Sequence, residues 1–341
     1  MWATERLPMP AVLCLEDNLE ETLGFLGRLR IQMLGEAQRF IDDHRATSVK
    51  RSALRRTGNR AYSDFSNMRR ISTSAALVLA AIFDRRKHMT GTKLSTVDER
   101  RWRPAISDVL LELGFKELLE LKARDLPQVS DGPIRTLRFL SGENADGVSV
   151  DRLQNSLVAM LPDDEGERLR DTNAYGGILE AILNSHNHAY PDGHRWSHAP
   201  LKRWWITGAF DSRSGQVTVV AYDQGVSIPA SLPGWEQFGK LERLMAKIAA
   251  RAGVIEALDS PTYDGMAIRL AMAVARSSTG LPQHGKGLNT MLEVARGAPW
   301  GRLRVLSRNG EFVWTTGAKP QARSLAQPLD GTLVEWKLRL R

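Results

Sequence analysis

The chain has 341 residues, of which 42% are hydrophobic and 25% charged, the proportions of a globular protein with enough apolar material for two domains. No apolar run approaches the roughly 20 residues that cross a bilayer, and the single cysteine, Cys14, excludes an internal disulfide framework. Segment 1–17 lacks the basic-then-apolar layout of a signal peptide, so we expect a cytoplasmic protein with no membrane partner.

The net charge of +8 is distributed unevenly. Between Arg28 and Arg103 there are 18 Lys and Arg residues against 7 Asp and Glu residues, an excess larger than that of the whole chain. A basic face of this kind could attract nucleic acid or an acidic protein. Because no recognised nucleic-acid motif accompanies the charge, a solvated basic surface is the alternative.

The clearest break in composition is Asp125 to Pro133, which is rich in Pro, Gly, Asp and Ser and predicts a linker. It separates a first domain at 1–127 from a second at 134–341. In the first domain, apolar spacing predicts strands at 11–15 and 61–65 and helices at 19–38, 72–83 and 106–121. This alternation predicts a small α/β domain.

The second domain is predicted to pack a layer of helices against a mixed or antiparallel sheet, an α+β arrangement. Its helices are predicted at 164–190, with a break near Gly176–Gly177, and at 235–252, 266–277 and 288–295. Its strands are predicted at 134–140, 204–210, 217–222, 303–307, 312–316 and 332–340, of which the second and third form a hairpin.

The first of four segments with functional chemistry lies in the helix predicted at 164–190. Glu180, Asn184 and His188 are spaced by four residues, so on a helix they project from one side. A carboxylate, an amide and an imidazole in a row could activate a nucleophile and hold hydrated Mg²⁺, which prefers oxygen ligands and bridges substrate phosphates. A polar outer face is the alternative interpretation.

Two further segments place polar side chains at strand ends. The apolar strand at 217–222 leads to Asp223, whose carboxylate could accept a hydrogen bond from an exocyclic amine such as that of adenine. Gly225 then permits a tight turn and a close approach of the backbone. Thr332 opens the last strand and could offer its hydroxyl to a base or to Asp223. Taken separately, each is also an ordinary turn sequence.

The remaining segment is rich in glycine and precedes the helix predicted at 288–295. Gly285 and Gly287 flank Lys286, and backbone N–H groups at a helix start can bind phosphate. Gly280 to Lys286 spells the opening of a P-loop. Gly287, however, stands where a Ser or Thr would bind Mg²⁺, and the preceding segment has a helical pattern. A true P-loop is therefore not expected.

Together the four segments resemble the N, G1, G2 and G3 boxes of the GHKL superfamily of Bergerat-fold ATPases, which includes gyrase, heat-shock chaperones, histidine kinases and mismatch-repair ATPases. The resemblance covers Ile134 to Arg341. The first segment, which ends in His-Ala-Tyr, is most similar to that of bacterial anti-sigma serine kinases. The resemblance implies that the second domain is a sandwich of helices on a mixed sheet that binds ATP and Mg²⁺.

The same resemblance implies a role for each matching residue. Glu180 would be the general base, Asn184 the Mg²⁺ ligand and Asp223 the acceptor for the adenine amino group. Thr332 would support adenine binding, while His188 and Lys286 would lie near the phosphates. The remaining residues of the implied pocket are Gly225, Ser227, His284, Gly285, Gly287 and Leu288. Ser227 departs from the family, which commonly has a second glycine at that position.

The interval at about 230–283 is longer than an ordinary loop, and in this superfamily it forms the ATP lid. Two apolar stripes predict helices within it. One hypothesis is a lid that closes on nucleotide and offers a surface to a protein partner. The alternative is that the stripes pack on the same domain. The first stripe contains Trp235, Phe238, Leu241, Leu244, Met245 and Ile248, and the second contains Met266, Leu270 and Val274.

The first domain contains a segment, 63–82, that resembles the strand, turn and helix of STAS-type anti-sigma-antagonist domains. In that family the turn carries a phosphorylatable serine. Here Ser72, Thr73, Ser74 and Ala75 occupy the turn, and the family's acidic residue and glycine are missing. Phosphorylation would fall on Thr73 or Ser74, and a generic helix start is the alternative.

These observations lead to one main hypothesis, a Mg²⁺-dependent ATPase that acts as a regulatory or conformational switch. An anti-sigma-type protein serine/threonine kinase would use the same residues on a protein hydroxyl. A non-hydrolysing module gated by ATP would instead bind protein or nucleic acid through the lid and the basic face. A homodimer is one alternative for the assembly.

Overall fold

A computed structural model describes residues 9–46, 62–92, 94–96, 98–122, 126, 132–234, 238–239, 242–244, 246, 260–277 and 287–341. They fall into two compact units. The first lies within residues 1–132 and includes 196–201, and the second comprises the rest of 133–341. Each unit contains both helices and strands. Within the described residues, no helix has the length and apolar character needed to cross a membrane.

The described part of the first unit combines helices with very short strands. In chain order these are β1 (Val12–Leu13), α1 (Leu19–Ala46), β2 (Tyr62–Ser63), β3 (Arg70–Ile71), α2 (Thr73–Thr90), β4 (Ser95–Thr96), α3 (Pro104–Leu113) and α4 (Phe115–Leu118). Strand β1 pairs with β3, and β2 pairs with β4, both in parallel. Helices α1 and α2 pack against each other.

Helix α2 is the centre of the first unit, because its apolar run is buried on all sides. It begins after Ser72, whose Oγ accepts a hydrogen bond from the N–H of Ala75 at 3.3 Å and so caps the first turn. It ends at Gly91, which has a φ of 63°, a conformation that favours glycine. The predicted end at residue 83 was therefore too early.

Two arginines that were assigned to the basic face are buried in α2. Arg85 is 3% exposed and Arg86 is 8% exposed, and burial lowers the pKa of Arg86. Arg85 Nη2 donates hydrogen bonds to the carbonyls of His198 and Ala199 at 3.3 and 2.8 Å. Part of the positive charge therefore contributes to the packing of the unit rather than to its surface.

The helix predicted at 106–121 is divided in the structure. Helix α3 ends at Leu113, and Gly114 adopts a φ of 112° before α4 begins. Only glycine adopts this backbone conformation readily. A single glycine thus turns one predicted helix into two.

The second unit combines one sheet with a layer of helices. Its elements are β5 (Ile134–Thr136), β6 (Leu140–Gly142), α5 (Gly147–Val158), α6 (Asp163–Asp171), α7 (Ala174–His188), β7 (Trp204–Asp211), β8 (Gln216–Asp223), α8 (Ile228–Ser231), α9 (Asp264–Ser277), α10 (Gly287–Gly297), β9 (Trp300–Thr315) and β10 (Gln321–Arg339). The six-stranded sheet has the order β5–β7–β8–β10–β9, and β6 also pairs with β7. All of these pairs are antiparallel.

One face of this sheet and the helices share a hydrophobic core. The core residues of β8 and β10 alternate along each strand, as side chains on one face of a sheet must. They are Val217, Val219, Ala221, Val334, Trp336 and Leu338, and α5, α7, α9 and α10 contribute to the same core. Trp336 Nε1 donates a hydrogen bond to the carbonyl of Met291 at 2.7 Å, which fixes α10 on the sheet.

Several predicted boundaries in the second unit were wrong. The predicted strand at 134–140 is the two short strands β5 and β6, and the strands predicted at 303–307 and 312–316 are the single strand β9. Strand β10 begins at Gln321 rather than at residue 332, and α5 was not predicted. The long helix at 164–190 is divided at Asn173, which has a φ of 59°, rather than near Gly176–Gly177.

Gly177 lies inside α7 because α10 passes close to it. A Cβ at this position would overlap Val294 Cγ2 and would lie 3.7 Å from Met291 Cα. We therefore expect Gly177→Ala to lower the free energy of unfolding by about 1–3 kcal/mol through overpacking, measured by urea denaturation. Val294→Ala in the same chain should recover part of this loss. Strictly additive effects of the two substitutions would contradict the proposed contact.

Candidate functional site

The second unit contains a cavity of about 590 Å³, within the range of small-molecule sites. Its walls are one side of α7, the end of β8 with the turn that follows, the start of α10, and β10 near Thr332. The predicted site residues that line it are Glu180, Asn184, His188, Asp223, Ser227, Gly287, Leu288 and Thr332. His284, Gly285 and Lys286 lie outside the described residues.

Helix α7 contributes a row of polar side chains to the cavity. Burial raises the pKa of the half-buried Glu180 carboxyl. Desolvation lowers the pKa of His188, although much of this residue is exposed. A carboxyl with a raised pKa is better suited to accept a proton at neutral pH than an ordinary one. A neutral imidazole can both donate and accept a hydrogen bond.

The first residue of α10 lies against this row. A Cβ on Gly287 would lie 2.7 Å from Glu180 Oε2 and 3.4 Å from Asn184 Nδ2. Glycine therefore leaves space beside the carboxylate that any other residue would occupy. The carboxylate, the amide and the start of α10 converge on one place, although they come from segments about 100 residues apart.

Asp223 occupies another part of the wall, at the end of β8. It is 8% exposed and lies opposite Thr332 of β10 and Trp204 of β7 in the sheet register. Its Oδ1 accepts a hydrogen bond from the N–H of Gly225 at 2.8 Å. Burial outweighs the backbone hydrogen bonds and raises the pKa of this carboxyl to about 7. Asp223 can therefore accept a hydrogen bond from an amine when ionised and donate one when protonated.

The turn after β8 is held by the residues that end α7. A Cβ on Gly225 would overlap Ala189 Cβ and the Ala189 carbonyl oxygen, and the N–H of Val226 donates to that carbonyl at 2.8 Å. Tyr190 Oη accepts a hydrogen bond from the N–H of Gln224 at 3.1 Å and donates to the Arg203 carbonyl at 2.7 Å. No role was predicted for Ala189 and Tyr190, although the His-Ala-Tyr ending of this segment could have indicated one.

Ser307 was also missed, and it connects the turn to β10. This fully buried residue accepts a hydrogen bond at Oγ from the N–H of Ile228 at 2.8 Å. Its hydroxyl lies 2.8 Å from Thr332 Oγ1 and donates to the Gly331 carbonyl at 3.2 Å. No signal in the sequence distinguishes Ser307 from any other serine in a strand.

The two apolar stripes of the predicted lid differ in how much of them the structure describes. Helix α9, which carries the second apolar stripe, is part of the core, since Ile268, Ala271 and Ala275 are fully buried. Most of the first stripe lies outside the described residues. The burial of α9 therefore favours the alternative in which this stripe packs on its own domain.

A cation at this site would have few ligands among the described residues. Within the described ranges there is no group of three or more His, Cys, Asp or Glu side chains that could hold a metal. Asn184 lines the cavity with its Nδ2 towards Gly287, and its amide oxygen is the atom that could bind a cation. An ion held there would need further oxygen ligands from a substrate and from water, as Mg²⁺ commonly has.

Comparison with known proteins does not assign the chain to a family. No family model matches it, and no curated protein matches its sequence significantly.

Proposed function

We propose that the second unit binds ATP in a pocket of the GHKL type and that the chain is a Mg²⁺-dependent ATPase that works as a conformational or regulatory switch. The observation that carries this proposal is the shared cavity. Residues from four separated segments, represented by Glu180, Asp223, Gly287 and Thr332, line it together. Helices on one face of an antiparallel sheet are compatible with the sandwich that this resemblance implies.

The adenine base would lie at the Asp223 end of the cavity. There the ionised carboxylate would accept a hydrogen bond from the exocyclic amine, and Thr332 would add a hydroxyl that Ser307 already orients. Apolar side chains from three elements line the same space, namely Ile228, Met291 and Val334. A flat, mostly apolar base with one polar edge matches such a wall.

The phosphates would lie at the Glu180 end. Bound Mg²⁺-ATP supplies the terminal phosphoryl group and the cation that neutralises its charge. Asn184 would hold the cation through its amide oxygen, and the start of α10 would offer backbone N–H groups to phosphate oxygens. Glu180 would orient a water molecule and take its proton. The raised pKa of Glu180 makes it a stronger base than an exposed carboxylate.

We propose a STAS-like layout for the first unit. Strand β3, the turn at Ser72 and helix α2 follow one another in the order that the resemblance requires. Of the two candidate hydroxyls, Ser74 is 1% exposed, whereas Thr73 is half-buried. If a kinase modifies this turn, Thr73 is therefore the residue we expect it to reach.

Calorimetric titration of the full chain tests the proposed function. With Mg²⁺ present we expect saturable binding of one ATP per chain and at least about tenfold weaker binding of GTP, since guanine has a carbonyl where adenine has the amine that Asp223 would bind. Failure to bind any adenine nucleotide would end the proposal.

Labelled ATP separates the remaining alternatives. Release of inorganic phosphate would indicate a hydrolase, and transfer of label to a protein would indicate the kinase. Tight binding without turnover would indicate an ATP-gated binding module.

A further inference from the structure

Ser227 has a backbone conformation that a serine rarely adopts. Its φ is 87° and its ψ is 159°, in a region that is essentially restricted to glycine because a Cβ is strained there. Hydrogen bonds hold both of its neighbours, since the N–H of Val226 donates to the Ala189 carbonyl and the N–H of Ile228 donates to Ser307 Oγ. A glycine would satisfy the same turn without strain. The serine side chain therefore reduces the stability of the turn.

The hydroxyl of Ser227 makes no hydrogen bond within the described part of the chain that would offset this strain. The residue is 5% exposed, and its Oγ is buried without a hydrogen-bond partner there. Serine at the start of a helix usually caps it, but Ser227 makes no side-chain cap bond to α8. A buried hydroxyl without a partner is unfavourable as well. The Ser227 side chain is thus unfavourable in two ways, through backbone strain and through a buried hydroxyl without a partner.

The position of Ser227 indicates what could satisfy its hydroxyl. It lines the cavity, lies four residues after Asp223 in the same turn, and precedes Ile228, which Ser307 links to Thr332. Ser227 thus belongs to the part of the cavity near Asp223 and Thr332, where the base would bind. A bound group at that end could provide the partner that the described chain lacks.

We propose that the Ser227 hydroxyl hydrogen-bonds to the purine base of the bound nucleotide and is a specificity-determining residue of this site. The ATP-free protein is less stable than it would be with glycine, and a hydrogen bond to the base would remove the part of that cost that comes from the unpartnered hydroxyl. This inference rests on the proposed function. It predicts that stability and affinity change in opposite directions when Ser227 is replaced.

Two variants separate strain from hydrogen bonding. Ser227→Gly removes both the Cβ and the hydroxyl, so the melting temperature of the full chain without ATP should rise by about 2–4 °C. Ser227→Ala keeps the Cβ, so its melting temperature should rise less. Both variants should bind ATP about tenfold more weakly, the effect of one lost hydrogen bond. Ser212→Ala, which removes an exposed serine hydroxyl in the β7–β8 turn, should bind ATP as the wild type does.

ATP, ADP and adenosine together show which part of the nucleotide the Ser227 hydroxyl contacts. If the hydroxyl touches the base, both variants should lose the same factor for ATP, ADP and adenosine. A loss that disappears with adenosine would place the contact at the phosphates and overturn the inference. Wild-type affinity in both variants would also overturn it, and so would a lower melting temperature for Ser227→Gly. In each of these three cases, ATP binding by the wild type would leave the proposed function intact. If the wild type binds no adenine nucleotide, both proposals fail.

Discussion

Glu180→Gln is expected to reduce ATP hydrolysis by about 10²- to 10⁴-fold, the usual contribution of a general base, while ATP affinity stays unchanged. Glutamine keeps the size of the side chain and its place beside Gly287 but cannot take a proton. Single-turnover phosphate release and calorimetric affinity, measured on the same preparation, separate the two effects. Glu167→Gln removes a charge from an exposed position on α6 and should hydrolyse ATP as the wild type does.

The pH profile provides a second readout for Glu180. Burial raises the pKa of its carboxyl above the ordinary value, and only the ionised form is a base. The wild-type rate should therefore fall as the pH falls through this raised pKa, and the residual rate of the variant should lack that acid limb. Hydrolysis at the wild-type rate in Glu180→Gln would remove this residue from the mechanism.

Asp223→Asn is expected to weaken ATP binding by about 10- to 100-fold, which corresponds to one hydrogen bond to a charged group. The asparagine amide keeps the shape of the carboxylate but loses its charge. In the wild type the carboxyl titrates with a pKa of about 7, so ATP affinity should be highest above pH 7 and fall as the pH drops through it. In the variant this dependence should be absent.

The stability of the empty protein should depend on pH with the opposite trend. The folded protein holds a proton on Asp223 up to about pH 7, whereas the unfolded chain releases it near the ordinary pKa of 3.8. The free energy of unfolding should therefore decrease as the pH rises from about 4 to 7. Asp223→Asn removes this contribution, so at pH 8 the empty variant should gain stability relative to the wild type while it loses affinity.

The titratable groups near Asp223 should affect the wild type and Asp223→Asn equally. Glu180, His188 and Tyr190 remain in both proteins, and burial keeps Tyr190 neutral by raising its pKa further. Asp151→Asn, an exposed substitution on α5 with the same change in charge, is the control. If that variant and Asp223→Asn show the same pH dependence of ATP binding, the base does not bind at Asp223.

The sequence predicted the elements whose signals are local. The β7–β8 hairpin and helix α1 begin where alternation and helical spacing indicate, because burial of one face imposes these periods. The spacing of Glu180, Asn184 and His188 also predicted that they share a helix side, and all three line the cavity. These inferences need no knowledge of distant segments.

The errors came from positions whose role depends on a distant partner. Gly177 was interpreted as a helix break, yet it allows contact with Val294, which lies far along the chain. Asn173 ends the helix instead, through a local backbone conformation that its residue type permits but does not require. Ser307 supports the site only because β9 lies next to β10 in the sheet.

Ala189 and Tyr190 join the end of α7 to the turn after β8, Ala189 through its backbone carbonyl and Tyr190 through its side-chain hydroxyl. A movement of α7 that displaced Glu180 would therefore also pull on the segment that carries Asp223. Under the proposed function, nucleotide binding at Asp223 and proton transfer at Glu180 would therefore be coupled. Substitutions at Ala189 or Tyr190 should therefore alter ATP affinity and the hydrolysis rate together.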